Sequence, residues 1–427
     1  MIVRRSMALR TFLLIGSGLV AGTLCAATWQ YRIPCELAGR QGRRAGSLLV
    51  WLPPAAQEIR GLLIGGRLGI ELEIAVDPLV RKVCEEERLA IVYFDPHISG
   101  TFKYWADPAL ESLWLEALDR LAEHTGHPEL RRIPWITMGH STAGIFARNV
   151  AYRWPSRTAG VLHIKSGNFH QRDILPPGWD EGVVSLAGIP VMAINGQFEV
   201  FGPEGGLRPE WGRETQWVYV AKDIQRFLEK DSGHLMSLWV EPGGDHHFGS
   251  PELSAIAALF IRKTAQHRLP KHIPPGNEPI ACRPLAPEDG WLSDAVLDAP
   301  RHPPAPYRAY AGDRRNAFWH FDEETAIAQA EFHRLMNRHQ CLSPPQLQWL
   351  DEGDGWLVQA TATFLDHMPV EYGGRVAGML IGHASGDLVY RCRITEPVQK
   401  IASNRFRLLR PIKAIAIAAF HPGEAQY

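Results

Sequence analysis

Two hydrophobic patterns alternate along the first two-thirds of the chain. Short apolar runs at 47–52, 61–64, 89–94, 133–138, 160–165, 189–194 and 236–241 have the length of buried β-strands. Between them, the stretches at 74–88, 108–124, 141–153 and 251–266 space their apolar residues as one face of a helix, the third of them stopped by Pro155. Strands that are apolar at successive positions have both faces covered, so the pattern predicts an α/β unit with a mainly parallel central sheet between helical layers. Functional sites in such sheets form beyond the carboxyl ends of the strands.

From residue 269 the pattern is lost. Prolines crowd the stretch 269–306, as at Pro274-Pro275 and Pro303-Pro304, and it reads as a linker wrapped against the core. A helix is predicted at 323–336, followed by strand-like segments at 346–350, 355–364, 377–382, 387–394, 404–409 and 412–419. The expected organisation is an α/β domain over 28–268, the Pro-rich linker, and a smaller β-sandwich-like accessory domain over 307–427.

The 427 residues carry 45% hydrophobic and 21% charged side chains and a formal net charge of -1. A chain so nearly neutral has no general attraction for polyanions, and a nucleic-acid partner is not expected. Arg4, Arg5 and Arg10 precede an apolar run at 11–24, and small residues follow at Ala26 and Ala27. That order is a signal peptide over 1–27, which directs the protein to secretion or the periplasm with no stable membrane insertion after cleavage. The run is short for a membrane span; Cys25 and the Arg4-Arg5 pair offer lipidation and twin-arginine export as variants of the same reading. Of the 6 cysteines, five follow the cleavage point and none form a close metal-like pair. Cys84 falls in a helical pattern as a buried thiol, and export makes a disulfide possible elsewhere.

The chemistry concentrates at Gly139-His140-Ser141-Thr142-Ala143-Gly144, between a predicted strand and a predicted helix. A serine on a sharp strand-to-helix turn has its hydroxyl pushed clear of the backbone, and small neighbours let the chain turn. The competing reading is a serine that only caps a helix. A serine needs a base to take its proton, and the base needs a carboxylate to hold it. Glu199 follows the strand-like run at 189–194 through Gly196-Gln197-Phe198, with Glu204 as its rival. The base falls in Gly243-Gly244-Asp245-His246-His247-Phe248-Gly249: His247 is the preferred base, His246 lines the site, and the choice between them stays open. Asp245-His246-His247 also reads as a metal-binding stretch. Neighbouring side chains rarely complete a site that needs three or four ligands, so no metal and no other cofactor is expected.

A tetrahedral intermediate needs donors aimed at its oxyanion. The Thr142 N–H, at a helix start, is one candidate; Gly66 or Arg67, after the strand-like run at 61–64, supplies the other. Tyr104, Trp105 and Trp211 sit in loops that could rim a cleft or simply pack on the core, and Arg208 and Arg213 share the last of these loops.

Taken together, residues 47–266 resemble the α/β-hydrolase superfamily, through the Ser141 hexapeptide, Gly196-Gln197-Phe198-Glu199 and the loop 243–249, in the family's order of nucleophile, acid and histidine. The resemblance implies an eight-stranded core and acyl transfer through an acyl-serine, with Ser141 as nucleophile, His247 as base and Glu199 as its orienter. Ala143, where the family usually has a second glycine, and a glutamate at 199 are departures. Within the superfamily the chain looks most like secreted polysaccharide-associated esterases, with a peptidase as the alternative on the same triad and a non-catalytic glycan-binding protein as the alternative without it. The expected substrate is a small-molecule or polysaccharide ester.

Overall fold

The computed structural model describes residues 29–39, 42–66, 70–95, 108–166, 185–196, 216–241, 251–295 and 301–340, and strand segments between 346 and 419. The described residues begin with a hairpin that the apolar runs did not announce: β1 (Tyr31–Gly39) pairs antiparallel with β2 (Gly42–Trp51), Tyr31 opposite Val50. In β1, Ile33, Cys35 and Leu37 are buried while Arg32, Pro34 and Glu36 face out. That period of two is a half-buried strand, and a proline with flanking charges suits the edge position β1 occupies.

β3 (Gly61–Gly65) leads to two short helices where one was expected, α1 (Ile70–Val76) and α2 (Pro78–Glu86). The break falls at Asp77, whose carboxylate accepts the Leu79 and Val80 amides while Pro78 opens the second helix. A proline at the first helical position and an aspartate cap in front of it are a restart signal. There follow β4 (Leu89–Asp95), α3 (Pro108–Thr125), β5 (Trp135–His140), α4 (Gly144–Arg153), β6 (Thr158–Ile164), β7 (Pro190–Gly196), α5 (Gln216–Lys230), β8 (Leu235–Glu241) and α6 (Pro251–Arg268). The helix α5 was not anticipated, although Val220, Ile224, Phe227 and Leu228 line one of its faces and are buried.

The eight strands form one sheet in the order β1-β2-β4-β3-β5-β6-β7-β8. Among them β2 alone runs against the rest, antiparallel to both β1 and β4. Every residue of β3, β5, β6, β7 and β8 is buried, as expected of strands covered on both faces. Ile70, Val80, Val83, Leu253 and Ile261 belong to one apolar cluster, and Trp114, Leu121, Phe146 and Val150 to another. This order, with one reversed strand near the edge and the turn after β5 at mid-sheet, is the α/β-hydrolase fold, as the resemblance implied.

The proline-rich stretch is strapped across the strand starts, at the opposite end from the turn after β5. Ile280 donates to Arg132 O at 2.8 Å, Cys282 to Ser156 O at 2.7 Å and Arg283 to Arg268 O at 2.8 Å. It then contributes β9 (Trp291–Asp294) and β10 (Ala305–Pro306), which join β11 (Ala317–His320) in a small antiparallel sheet, followed by α7 (Glu323–Gln340). Trp319, Phe321 and Phe332 are buried in the same apolar cluster as Trp239 and Phe260 of the main domain. Gln329 Nε2 donates to Leu238 O at 2.5 Å, so α7 satisfies a buried carbonyl on β8, the last strand of the large sheet. The packed body therefore continues at least to Phe332, past the boundary at 306–307 read from the proline pattern.

Beyond it, β12 (Gln346–Asp351), β13 (Trp356–Thr361), β14 (Met368–Tyr372), β15 (Arg375–Ile381), β16 (Tyr390–Ile394), β17 (Val398–Ala402), β18 (Arg405–Leu408) and β19 (Ala418–Ala419) form two antiparallel sheets, β12-β13-β18-β17 and β14-β15-β16-β19. Strands β14 and β17 were missed in the sequence; the β-rich character of the region was not. Among the described residues no helix is long and apolar enough to cross a membrane. Cys35, Cys84 and Cys282 are free thiols, Cys84 fully buried in α2 as expected.

Candidate active site

β5 delivers His140 as its last buried residue, and the next residue changes hand. Ser141 has φ +56°, the left-handed region, and opens a 3-10 turn over Ser141–Ala143 before α4 begins at Gly144. A left-handed conformation is unusual for a residue with a β-carbon and recurs where function holds the backbone under strain. It also disposes of the capping alternative: the residue ahead of α4 is Ala143, and a capping serine would take an extended backbone. Ser141 is half-buried at the carboxyl end of the central strand.

Two glycines make the turn possible. A side chain at 139 would overlap the Ala143 carbonyl, and one at 144 would overlap Ser166. Ala143 is fully buried but fits, so the space that forbids a side chain lies one residue later than in the usual family pattern. The Ser166 hydroxyl, just after β6, donates to the Ser141 carbonyl, which fixes the turn to the neighbouring strand. His140 is buried under the turn. His163 lies against Gly144 from β6; burial, with Arg148 adding to it, pushes its pKa down to about 3 and keeps it neutral.

A carboxylate that the sequence reading passed over holds this turn from the other side. Glu71, in the first turn of α1, is fully buried. One oxygen accepts the Gly66 amide at 2.7 Å, and the other accepts the His140 amide. Its signal was an acid on the apolar face that Ile70, Ile74 and Ala75 share. The contact corrects one expectation. The Gly66 N–H is committed to Glu71 and does not present itself to an oxyanion, which leaves Arg67, outside the described residues, and the Thr142 amide at the start of the 3-10 turn.

The other candidates leave from the same edge of the sheet. β5, β6, β7 and β8 are consecutive and parallel, so their carboxyl ends lie side by side. At about 4.8 Å per strand, the end of β7 stands about 10 Å and the end of β8 about 14 Å from Ser141. β7 ends at Gly196, shortly before Glu199, and β8 ends at Glu241, shortly before His246 and His247. Glu199, Glu204, His246, His247 and Asp245 lie outside the described residues, as do the expected rim residues Tyr104, Trp105 and Trp211. Among the described residues, no three His, Cys, Asp or Glu side chains are grouped so as to hold a metal ion. At the floor of this edge, Lys165 Nζ lies 2.5 Å from Glu241 Oε2, both side chains fully buried. Each is a charge ending an otherwise apolar run, which is the sequence signal that could have found them.

No protein-family model matches the chain, and no curated protein matches it. Among solved structures it is similar to LpqC, a poly(3-hydroxybutyrate) depolymerase from Bordetella parapertussis, at 17% identity and a TM-score of 0.40 over 56% of this chain and 90% of that one. It is also similar to poly(aspartic acid) hydrolase-1 from Sphingomonas sp. KT-1, at 13% identity and a TM-score of 0.40 over 54% and 98% of the two chains. Siderophore hydrolase EstA from Aspergillus nidulans matches at 12% identity and a TM-score of 0.38, over 58% and 99%. Likeness this distant assigns no substrate. The strand order and the strained turn after β5 stand on their own, and by them the chain has the α/β-hydrolase fold.

Proposed function

We propose that the protein is an exported serine hydrolase that cleaves carboxylic esters through an acyl-serine intermediate, with substituted polysaccharides as the substrate class. The observation that carries the reading is the left-handed Ser141 at the carboxyl end of β5, set between two glycines whose space is already occupied. A strained serine on a rigid strand end is costly to maintain unless its hydroxyl is used.

In this mechanism the Ser141 hydroxyl attacks the ester carbonyl while His247 takes its proton and Glu199 holds the imidazole in register. The oxyanion is met by backbone N–H groups of Thr142 and Arg67. Collapse of the intermediate expels the alcohol, protonated by His247. A water molecule deprotonated by the same histidine then releases the acid and restores Ser141. The positive residues ahead of the apolar run 11–24 support export. The β-rich region past residue 345 suits contact with an extended substrate.

The test is a hydrolysis panel of p-nitrophenyl acetate, a feruloyl ester, an acetylated xylan and a peptide anilide, run on wild type and on His246→Ala, His247→Ala and Glu199→Gln. The expected outcome is ester turnover that exceeds amide turnover and falls by about 10³-fold or more in His247→Ala. Amide cleavage at rates matching the esters would turn the assignment to a peptidase. No turnover of any substrate by folded wild type would overturn it.

A further inference from the structure

Lys165 is the residue after β6, Glu241 the last residue of β8, and β7 lies between them. Along this edge Ile164 aligns with Ile194, and Gly196 aligns with Glu241. Their ion pair, 2.5 Å long and fully buried, therefore spans β7 at the level of its last residues, Asn195 and Gly196. The Lys165 backbone is left-handed, with φ +44°, and its amide donates to Ile194 O at 2.6 Å. The next side chain, Ser166, donates to the Ser141 carbonyl and occupies the space beside Gly144. A continuous set of contacts thus runs from the Ser141 turn through Ser166 and Lys165 to Glu241, where the chain enters the loop of His246 and His247.

We infer that Lys165 and Glu241 are positioning residues for the reaction proposed above, on which this inference rests: their ion pair sets the distance between the Ser141 turn and the end of β8, from which the chain runs on to His246 and His247. Neither touches substrate. Removing two charges from water is expensive, and apolar side chains of similar volume would hold the sheet edge together as well or better. An ion pair between two strand ends instead favours one placement of each end relative to the other. The left-handed backbone at Lys165 points the same way, because such strain persists only where the surrounding contacts hold it. The charges at the ends of β6 and β8, together with the contact back to Ser141, place the pair between the Ser141 turn and the strand end from which the chain runs on to His246 and His247.

The experiment compares wild type with Lys165→Met, Glu241→Leu, the Lys165→Met/Glu241→Leu double variant and Lys165→Arg. Three readouts are taken: Tm, hydrogen exchange of peptides covering 139–144 and 236–250, and kcat and KM per serine titrated with a fluorophosphonate. Each neutralising single variant is expected to lose Tm, because it strands a buried charge. The double variant is expected to regain wild-type Tm, to exchange faster at 242–250, and to keep KM while kcat stays about 100-fold down. Lys165→Arg, which keeps the charge but alters its reach, is expected to fold with intermediate kcat. A double variant, or Lys165→Arg should the double not fold, with wild-type exchange and wild-type kcat would overturn the inference. If wild type is neither labelled nor active, the hydrolase reading fails; exchange at 242–250 then decides this pair alone, and an unchanged rate overturns it.

Discussion

Glu71 and His140 are 69 residues apart in sequence, yet the Glu71 carboxylate accepts the amide of the residue that precedes the candidate nucleophile. Its other oxygen accepts Gly66, so one buried side chain joins the loop after β3 to the turn after β5. These two segments carry the candidate oxyanion donors.

Glu71→Gln tests this joint. The glutamine keeps one accepting oxygen and puts an NH2 group where the other oxygen now accepts a backbone N–H, so one contact is lost while volume is kept. Misplacing one oxyanion donor costs about 10²–10³ in kcat. We expect a fall in kcat of that order at nearly unchanged KM. Glu71→Ala, which strands two buried amides, is expected to lower stability by about 2–5 kcal/mol as well. Denaturant unfolding beside steady-state kinetics separates the two effects, and a Glu71→Gln enzyme of wild-type kcat would remove Glu71 from the account.

Gly144→Ala puts a methyl group into Ser166. Overpacking of this kind costs about 1–3 kcal/mol, and here it also displaces the turn that holds Ser141. Ser166→Gly in the same chain removes the obstructing atoms and is expected to recover much of that stability. Additive losses in the pair, measured by urea unfolding, would show that the two positions do not share the space.

Acid sensitivity follows from a buried Ser–His contact in the small sheet. His320 Nε2 lies 2.8 Å from Ser293 Oγ, which donates to Gln329 at 2.8 Å. Burial pushes the His320 pKa down from 6.5 to about 3. Between those values the unfolded chain binds a proton that the folded chain refuses. The stabilisation is complete above the unfolded value and is lost as pH falls towards the folded one. Each such histidine contributes a limiting slope of about 1.4 kcal/mol per pH unit, and His163 acts in the same direction. We expect unfolding free energy to fall steadily from about pH 6 to about pH 4.5, and His320→Gln to flatten that slope by about one proton. Equal slopes in variant and wild type would contradict the burial argument.

The boundary of the packed body gives a prediction by truncation. A chain ending at 306 loses Trp319, Phe321, Phe332 and the Gln329 contact to β8. At about 1.5–3 kcal/mol for each buried side chain, that loss is a large part of the stability of a typical domain. We expect this truncation to aggregate, and a chain ending at 342 to unfold cooperatively near the full-length Tm. A soluble, cooperative chain ending at 306 would restore the boundary suggested by the prolines.

These cases mark what can be read from sequence alone. Buried parallel strands were legible because both faces are apolar and the run is unbroken. β1 was not, because Arg32, Pro34 and Glu36 interrupt its apolar residues, and a half-buried edge strand has no run to find. The turn at Ser141 was legible because its small residues are contiguous. Glu71 and the Lys165–Glu241 pair were not, since each acts on a partner brought near only by the fold. The stretch 307–340 misled because prolines mark where periodicity ends, while attachment depends on a few large side chains such as Trp319. The Ser293–His320 contact shows why a Ser–His pair is not enough: both side chains are buried in an ordinary core, without the strained turn that distinguishes Ser141.

The most direct test of the central claim is reaction of the full-length protein with a fluorophosphonate, read by intact mass and peptide mapping, with Ser141→Ala and His247→Ala as controls. The account predicts one adduct per chain, mapped to Ser141, absent from folded Ser141→Ala and strongly slowed in His247→Ala. A folded wild type that takes no adduct, or takes it on a residue other than Ser141, would contradict it.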